Sequence, residues 1–185
     1  MQKHNQIYDL FLRPEKRIIL LIDPDKFDEE KTSRFFSNHA HLMDMIFVGG
    51  SLLSANRTAS VIASLKQITQ IPVVLFPGNS MQVSDNADAI LFLSLISGRN
   101  PEYLIGQHVQ AAPLMYNSGI EVIPTSYMLI DGGNRTSVQY ISQSMPIPAD
   151  KTDIAAATAL AGKFLGHKLI YLEAGSGAQN AVPAA

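Results

Sequence analysis

The segment Tyr171-Leu172-Glu173-Ala174-Gly175-Ser176-Gly177 follows a short apolar run, Lys168-Leu169-Ile170, and ends in two glycines around a serine. Glycine accepts the positive φ angles that aim several backbone N–H groups at one point, so such a loop is a ready nest for a phosphate. Glu173 adds a carboxylate within side-chain reach of whatever the nest holds, which points to chemistry beside a bound phosphate. The competing reading of Glu173 is a salt bridge to a Lys or Arg, but a charged residue at the mouth of an apolar run is poorly explained as core. Tyr171 stays open between a core aromatic and a hydroxyl that reaches a phosphate oxygen.

A second group with chemical potential is Asp23-Pro24-Asp25-Lys26. Its two carboxylates, two positions apart on an extended turn, could both serve a hard cation such as Mg²⁺. Equally, Asp23 could end a strand while Asp25 or Asp28 starts a helix. Ser51, after Gly49 and Gly50, offers a hydroxyl to the same metal or simply opens a helix. Lys26 could neutralise a phosphate, although a lone lysine in a charged segment is usually solvated. The histidines at 4, 39, 41, 108 and 167 show no metal-ligand spacing, and His39 and His41 suit a solvated helix face, so none is assigned a catalytic role.

The elements that must position these residues alternate in type. Apolar runs at Ile18-Ile22, Met45-Val48, Val73-Phe76, Ala89-Leu93, Glu121-Leu129 and Lys168-Leu172 read as strands, most of them apolar on both faces, as in parallel sheets covered by helices. Helical patterns at Glu29-His41, Ser54-Gln70, Pro101-Ser118 and Asp150-Leu165 separate them, with Pro101 and Asp150 as starts and Gly119 and Gly166 as stops. Between the third and fourth runs the chain is too short for a full helix, so one crossover is degenerate. Polar clusters follow the strands: Asp23-Lys26, Gly49-Ser51, Pro77-Asn79, Ser97-Asn100 and the Gly-Ser-Gly loop. Each taken singly fits turn chemistry, but in a (β/α) barrel all would open onto the face where such folds place their sites.

Composition narrows the function classes. Fourteen Lys and Arg against sixteen Asp and Glu give a net charge of −2 without a basic cluster, which argues against a nucleic-acid partner. The 185-residue chain has no cysteine, hence no thiolate nucleophile and no disulfide framework, and a reducing cytoplasmic setting is expected. Residues Met1-Tyr8 hold no apolar leader core, and no apolar stretch approaches the roughly 18 residues of a membrane span.

Together these residues resemble the geranylgeranylglyceryl phosphate synthase family, which includes the PcrB-type synthases. The resemblance is carried by Leu21-Ile22-Asp23-Pro24-Asp25-Lys26, Phe47-Val48-Gly49-Gly50-Ser51, Val74-Leu75-Phe76-Pro77-Gly78, Ser97 through Gly106, Pro146-Ile147-Pro148 with Asp150-Lys151, and Tyr171 through Gly177. It implies an α/β fold of the TIM (β/α)₈-barrel type, with residues 1–185 as a single domain. It also implies a Mg²⁺-dependent prenyltransferase of membrane phospholipid biosynthesis, joining sn-glycerol 1-phosphate to a polyprenyl diphosphate, geranylgeranyl by preference, through an ether bond. By match of motif, Asp23 and Ser51 would ligate Mg²⁺. Tyr171, Leu172, Glu173, Ala174, Gly175, Ser176 and Gly177 would bind the glycerol phosphate, and Glu173 would orient or deprotonate the attacking hydroxyl. Walls for the prenyl tail are expected from Leu91-Ile96 and Tyr127-Ile130, which ordinary core packing explains equally well.

The family continues past this loop with two more β/α units and two further glycine-rich loops. Six strands are found here, so the expected barrel is incomplete, truncated at its C-terminus, with open strand edges. Alternatives to an active synthase are therefore a catalytically impaired fragment keeping the metal and diphosphate half-site, or another phosphate-binding barrel enzyme. Dimers and hexamers are common in the family, which leaves a homo-oligomer among the expected states.

Overall fold

Runs of Ile, Leu, Val and Met form six short strands in the computed structural model, which describes residues 6–51, 54–55, 57–80 and 82–184. They are β1 (Ile19–Ile22), β2 (Met45–Val48), β3 (Val73–Leu75), β4 (Ala89–Leu95), β5 (Glu121–Leu129) and β6 (Leu169–Glu173), and they lie in that order in one sheet. The pairs β1–β2, β2–β3, β3–β4 and β5–β6 are parallel, with Ile19 opposite Met45, Ile46 opposite Val73, Val74 opposite Ala89 and Tyr127 opposite Tyr171. Parallel strands in sequence order are the product of repeated crossovers of one hand, which is the winding of a TIM-type barrel. Six of its strands are present among the described residues.

The helices are α1 (Gln6–Phe11), α2 (Glu29–His39), α3 (Thr58–Ile68), α4 (Gln107–Ser118), α5 (Ser137–Ser142) and α6 (Thr152–Phe164). Asp28 starts α2: its carboxylate accepts the Lys31 amide at 3.0 Å, and Glu29 and Glu30 complement the positive end of the helix. The helix expected over 54–70 is shorter, and residue 56 near its start lies outside the described residues, as do residues 1–5 of the N-terminal segment. The helix expected from Pro101 opens with a turn of π-helix, Glu102–Gly106, before α4. Between β3 and β4 no helix occurs among the described residues, in line with the degenerate crossover.

The chain divides into two compact units, residues 1–91 with 111–122, and residues 92–110 with 123–185. In the first, β2 and β3 are buried along their whole length, and Val61, Ile62 and Leu65 of α3 are buried with them. Glu121 anchors α1 there, its buried carboxylate accepting the Ile7 and Tyr8 amides at 2.8 and 2.9 Å. In the second, Met128, Ile130 and Ile147 pack with Ile96, Ala155, Ala159 and Val182. Ser94 pairs with His108 at 2.9 Å and Ser126 with His167 at 2.7 Å.

Burial on both faces, expected for most strands, fails at the two ends of the sheet. Leu21 of β1 is 50% exposed, and Ile170 and Leu172 of β6 are 41% and 49% exposed. An end strand has a neighbour on one side only, so half of the covering layer that hides β2 and β3 has no counterpart there. Among the described residues no helix is long and apolar enough to cross a membrane.

Candidate functional site

In the first unit the site residues sit at the C-terminal ends of β1, β2 and β3. Ile22 pairs with Val48, and the Gly49 amide donates to the Ile22 carbonyl at 3.1 Å, which sets Asp23 and Gly49-Gly50-Ser51 at the same end of neighbouring strands. Asp23 caps a short 3-10 turn, Pro24–Lys26, accepting the Asp25 amide at 3.0 Å, and Lys26 lies 3.4 Å from its other oxygen. Asp25 accepts the Ser54 amide at 2.6 Å, and that bond holds its carboxyl below the usual carboxylate range. Its second oxygen, Oδ1, is buried without a hydrogen-bond partner. Both readings of this segment thus coexist: Asp23 and Asp28 do start helical turns, and carboxylate oxygens suited to a hard cation remain.

Close approach of the backbone at this end depends on glycine. A Cβ on Gly49 would lie 1.7 Å from the Phe76 carbonyl oxygen, and one on Gly78 would lie 2.2 Å from the Gly50 carbonyl oxygen. Gln82 ties the two loops together, accepting the Gly78 amide and donating to the Gly50 carbonyl, each at 3.1 Å. Gln82 is buried. No sequence motif marks it.

In the second unit, β6 carries Tyr171 and Glu173 on one face, since alternate strand residues share a side. Tyr127 of β5, opposite Tyr171 in register, stacks on it with ring centroids 5.8 Å apart and planes 10° from parallel. The Tyr127 hydroxyl donates to Glu173 Oε2 at 2.9 Å. Burial pushes the Glu173 carboxyl up, and the bond from Tyr127 pulls it partly back. Burial and the neighbouring Glu173 charge push both phenols up, so the tyrosines keep their protons. Among the described residues Glu173 makes no ion pair, so its partner is a tyrosine and the salt-bridge reading does not hold.

The loop beyond Glu173 turns through left-handed glycines, the backbone conformation a nest draws on. Gly175 and Gly177 take φ angles of +94° and +78°. Residues 131–134 brace it: Asn134 donates to the Gly177 carbonyl at 2.9 Å and accepts the Gln179 amide at 3.2 Å, while the Gly132 carbonyl accepts the amides of Gln179 and Asn180, both at 3.0 Å. Asp131 fixes that brace by accepting the Gly133 amide at 2.9 Å. The fourth polar cluster is turn chemistry. Arg99 spends Nη1 on the carbonyls of Ile96, Ser97 and Gly98, Asn100 binds the Ser142 carbonyl, and the hollow of about 430 Å³ beside them is open. Of the expected prenyl walls, Leu91, Leu95, Met128, Leu129 and Ile130 are buried core of their own units. Core packing, the alternative given for them, describes these five, while Phe92, Leu93 and Ile96 of the same segments are half-buried.

The PcrB family model matches residues 12–185. The geranylgeranylglyceryl phosphate synthases of Spirosoma linguale and Chitinophaga pinensis are each 50% identical to the chain, covering 96% and 97% of it and 72% and 73% of their own lengths. Among solved structures, the (S)-3-O-geranylgeranylglyceryl phosphate synthase of Thermoplasma acidophilum, in complex with its substrate sn-glycerol-1-phosphate, matches with a TM-score of 0.88 at 33% identity. That match covers 99% of this chain and 74% of the other. The family model takes in nearly the whole chain and half of the residues are shared with these synthases, so the chain belongs to the PcrB family, the prenyltransferases of the geranylgeranylglyceryl phosphate synthase type.

Proposed function

We propose that this chain joins sn-glycerol 1-phosphate to a polyprenyl diphosphate, geranylgeranyl in the first instance, as an ether, for membrane phospholipid synthesis in the cytoplasm. The observation that carries the reading is Glu173: a carboxylate raised by burial, held by a tyrosine, two residues before a loop of left-handed glycines. In this reading Tyr171 through Gly177 hold the glycerol phosphate, the anion lying in the nest and the reacting hydroxyl within reach of Glu173. The allylic carbon–oxygen bond breaks with both electrons leaving on diphosphate. The glycerol oxygen bonds to that carbon, and its proton passes to Glu173.

Asp23 and Ser51 are the residues proposed to hold Mg²⁺, and the orphaned Asp25 oxygen beside Asp23 is of the donor type a hard cation takes. Mg²⁺ commonly takes one or two carboxylates and completes its shell with substrate phosphates and water, a demand that Asp23 with the Ser51 hydroxyl would meet. When bound, the ion supplies charge for the departing diphosphate. The test is incubation with labelled geranylgeranyl diphosphate, sn-glycerol 1-phosphate and Mg²⁺: an ether-linked product is expected, absent with Glu173→Ala. A folded chain that forms no product but still binds the diphosphate with Mg²⁺ would be a non-catalytic relative, and the proposal would fall.

A further inference from the structure

Glu173 lies at the last residue of a strand whose side chains are partly exposed, so its neighbours alone do not fix its rotamer. A glutamate there has three side-chain torsions to settle, and geometry at a reacting hydroxyl tolerates little drift. Among the described residues, Tyr127 of β5 holds it from outside its own strand. Tyr127 is buried at 6% exposure, its ring is clamped flat against Tyr171, and its hydroxyl therefore stands at a fixed point two register positions short of Glu173. Tyrosine reaches that point with only two torsions, and both are set by the stack and the β5 backbone.

From this arrangement we infer that Tyr127 is a positioning residue of the reaction, orienting the Glu173 carboxylate through its hydroxyl and keeping it competent to accept the substrate proton. The inference rests on the function proposed above for Glu173. A purely structural tyrosine would be served as well by phenylalanine, which packs alike; only the hydroxyl distinguishes the two roles. The titratable groups set against Glu173 are Tyr127 from β5 and Tyr171 from its own strand, and both are phenols whose protons stay in place near neutral pH. A neutral donor on an ionised carboxylate favours the charged form against burial. Removing the donor therefore leaves Glu173 looser and protonated over more of the pH range.

The experiment combines a titration with kinetics on the full chain. Glutamate carboxyl carbons are labelled with ¹³C, Glu173 is assigned by its loss in Glu173→Gln, and its midpoint is followed in the wild type and in Tyr127→Phe. The midpoint is expected to rise in Tyr127→Phe. The acid limb of the rate profile should rise with it, and kcat should fall at least about tenfold, as for loss of one hydrogen bond to a charged group, with the KM for prenyl diphosphate unchanged. Tyr127 replaced by 3-fluorotyrosine, a stronger donor of nearly the same shape, should move the midpoint down; this second variant serves if Tyr127→Phe fails to fold. An unmoved midpoint in either folded variant, or an unmoved acid limb, overturns the inference. A wild-type chain without turnover but with the shifted midpoints would sink the synthase reading and leave the hold of Tyr127 on Glu173 standing.

Discussion

Gly175 and Gly177 flank the same serine and both adopt left-handed φ angles, yet replacing them by alanine should have unequal consequences. A Cβ on Gly177 meets nothing within 4 Å, whereas a Cβ on Gly175 would fall 2.5 Å from Thr136 Oγ1 and 2.6 Å from both Thr136 carbons Cβ and Cγ2. Gly177→Ala then costs only the left-handed backbone penalty, about 1–2 kcal/mol. Gly175→Ala adds displacement of a β-branched side chain with few rotamers to retreat into, about 1–3 kcal/mol more, for a total of about 2–5 kcal/mol. Urea unfolding at neutral pH measures both as a lower midpoint at constant slope. Thr136 supplies the control. Its hydroxyl is buried without a partner and makes no capping bond to α5, so Thr136→Gly removes the obstacle without breaking a hydrogen bond. In the Gly175→Ala background that change should recover most of the excess loss. Equal losses at the two glycines, or no recovery with Thr136→Gly, would refute the argument that this loop is shaped by contact with residue 136.

Two further outcomes follow from buried polar groups. His108, wedged against Phe92 and bonded to Ser94, is held below the ordinary histidine range by burial, opposed by the Leu93 carbonyl and aided by His167, which burial holds down as well. The unfolded chain therefore binds more protons just below about pH 6.5, so stability is complete above that value and falls as pH drops through it; denaturation midpoints across this window show the slope, and His108→Gln with His167→Gln should flatten it. Glu121→Ala strips two amides of α1 of a charged acceptor and should cost about 2–4 kcal/mol in thermal or urea unfolding, with faster hydrogen exchange in α1 than elsewhere. Exchange in α1 unchanged by Glu121→Ala would show that apolar packing of Ile7 suffices to hold it.

What the sequence made legible is local. β2 and β5 begin and end at the residues their apolar runs suggest, and the polar clusters do follow strand ends, because a period-two or continuous apolar pattern and a glycine stop are written in consecutive residues. α1 and α5 escape that reading since six residues are too few for a helical period to emerge, and α1 owes its start to Glu121, 114 positions away from Ile7. The same holds in the site. Glu173, Gly175 and Gly177 announce themselves by type and spacing, while Tyr127, Asn134 and Gln82 matter through partners 46, 43 and 32 residues distant. A tyrosine inside an apolar run reads as core, and it is core; its hydroxyl acquires meaning only from the strand pairing.

That pairing also bears on an electrostatic difficulty of the motif. A carboxylate two residues from an anion nest sets like charge against like charge, and burial sharpens the repulsion. A protonated Glu173 would ease it but could not take a proton from a hydroxyl. In the proposed role, the left-handed glycines would let backbone amides meet the anion without a mobile cation, and on the side-chain side the Tyr127 hydroxyl donates to the carboxylate and stabilises its charge. Both are neutral groups. They favour the ionised carboxylate without an ammonium or guanidinium that would neutralise it as a base, which is why a tyrosine partner, rather than the lysine or arginine a lone buried glutamate ordinarily finds, fits the role proposed for Glu173 as proton acceptor.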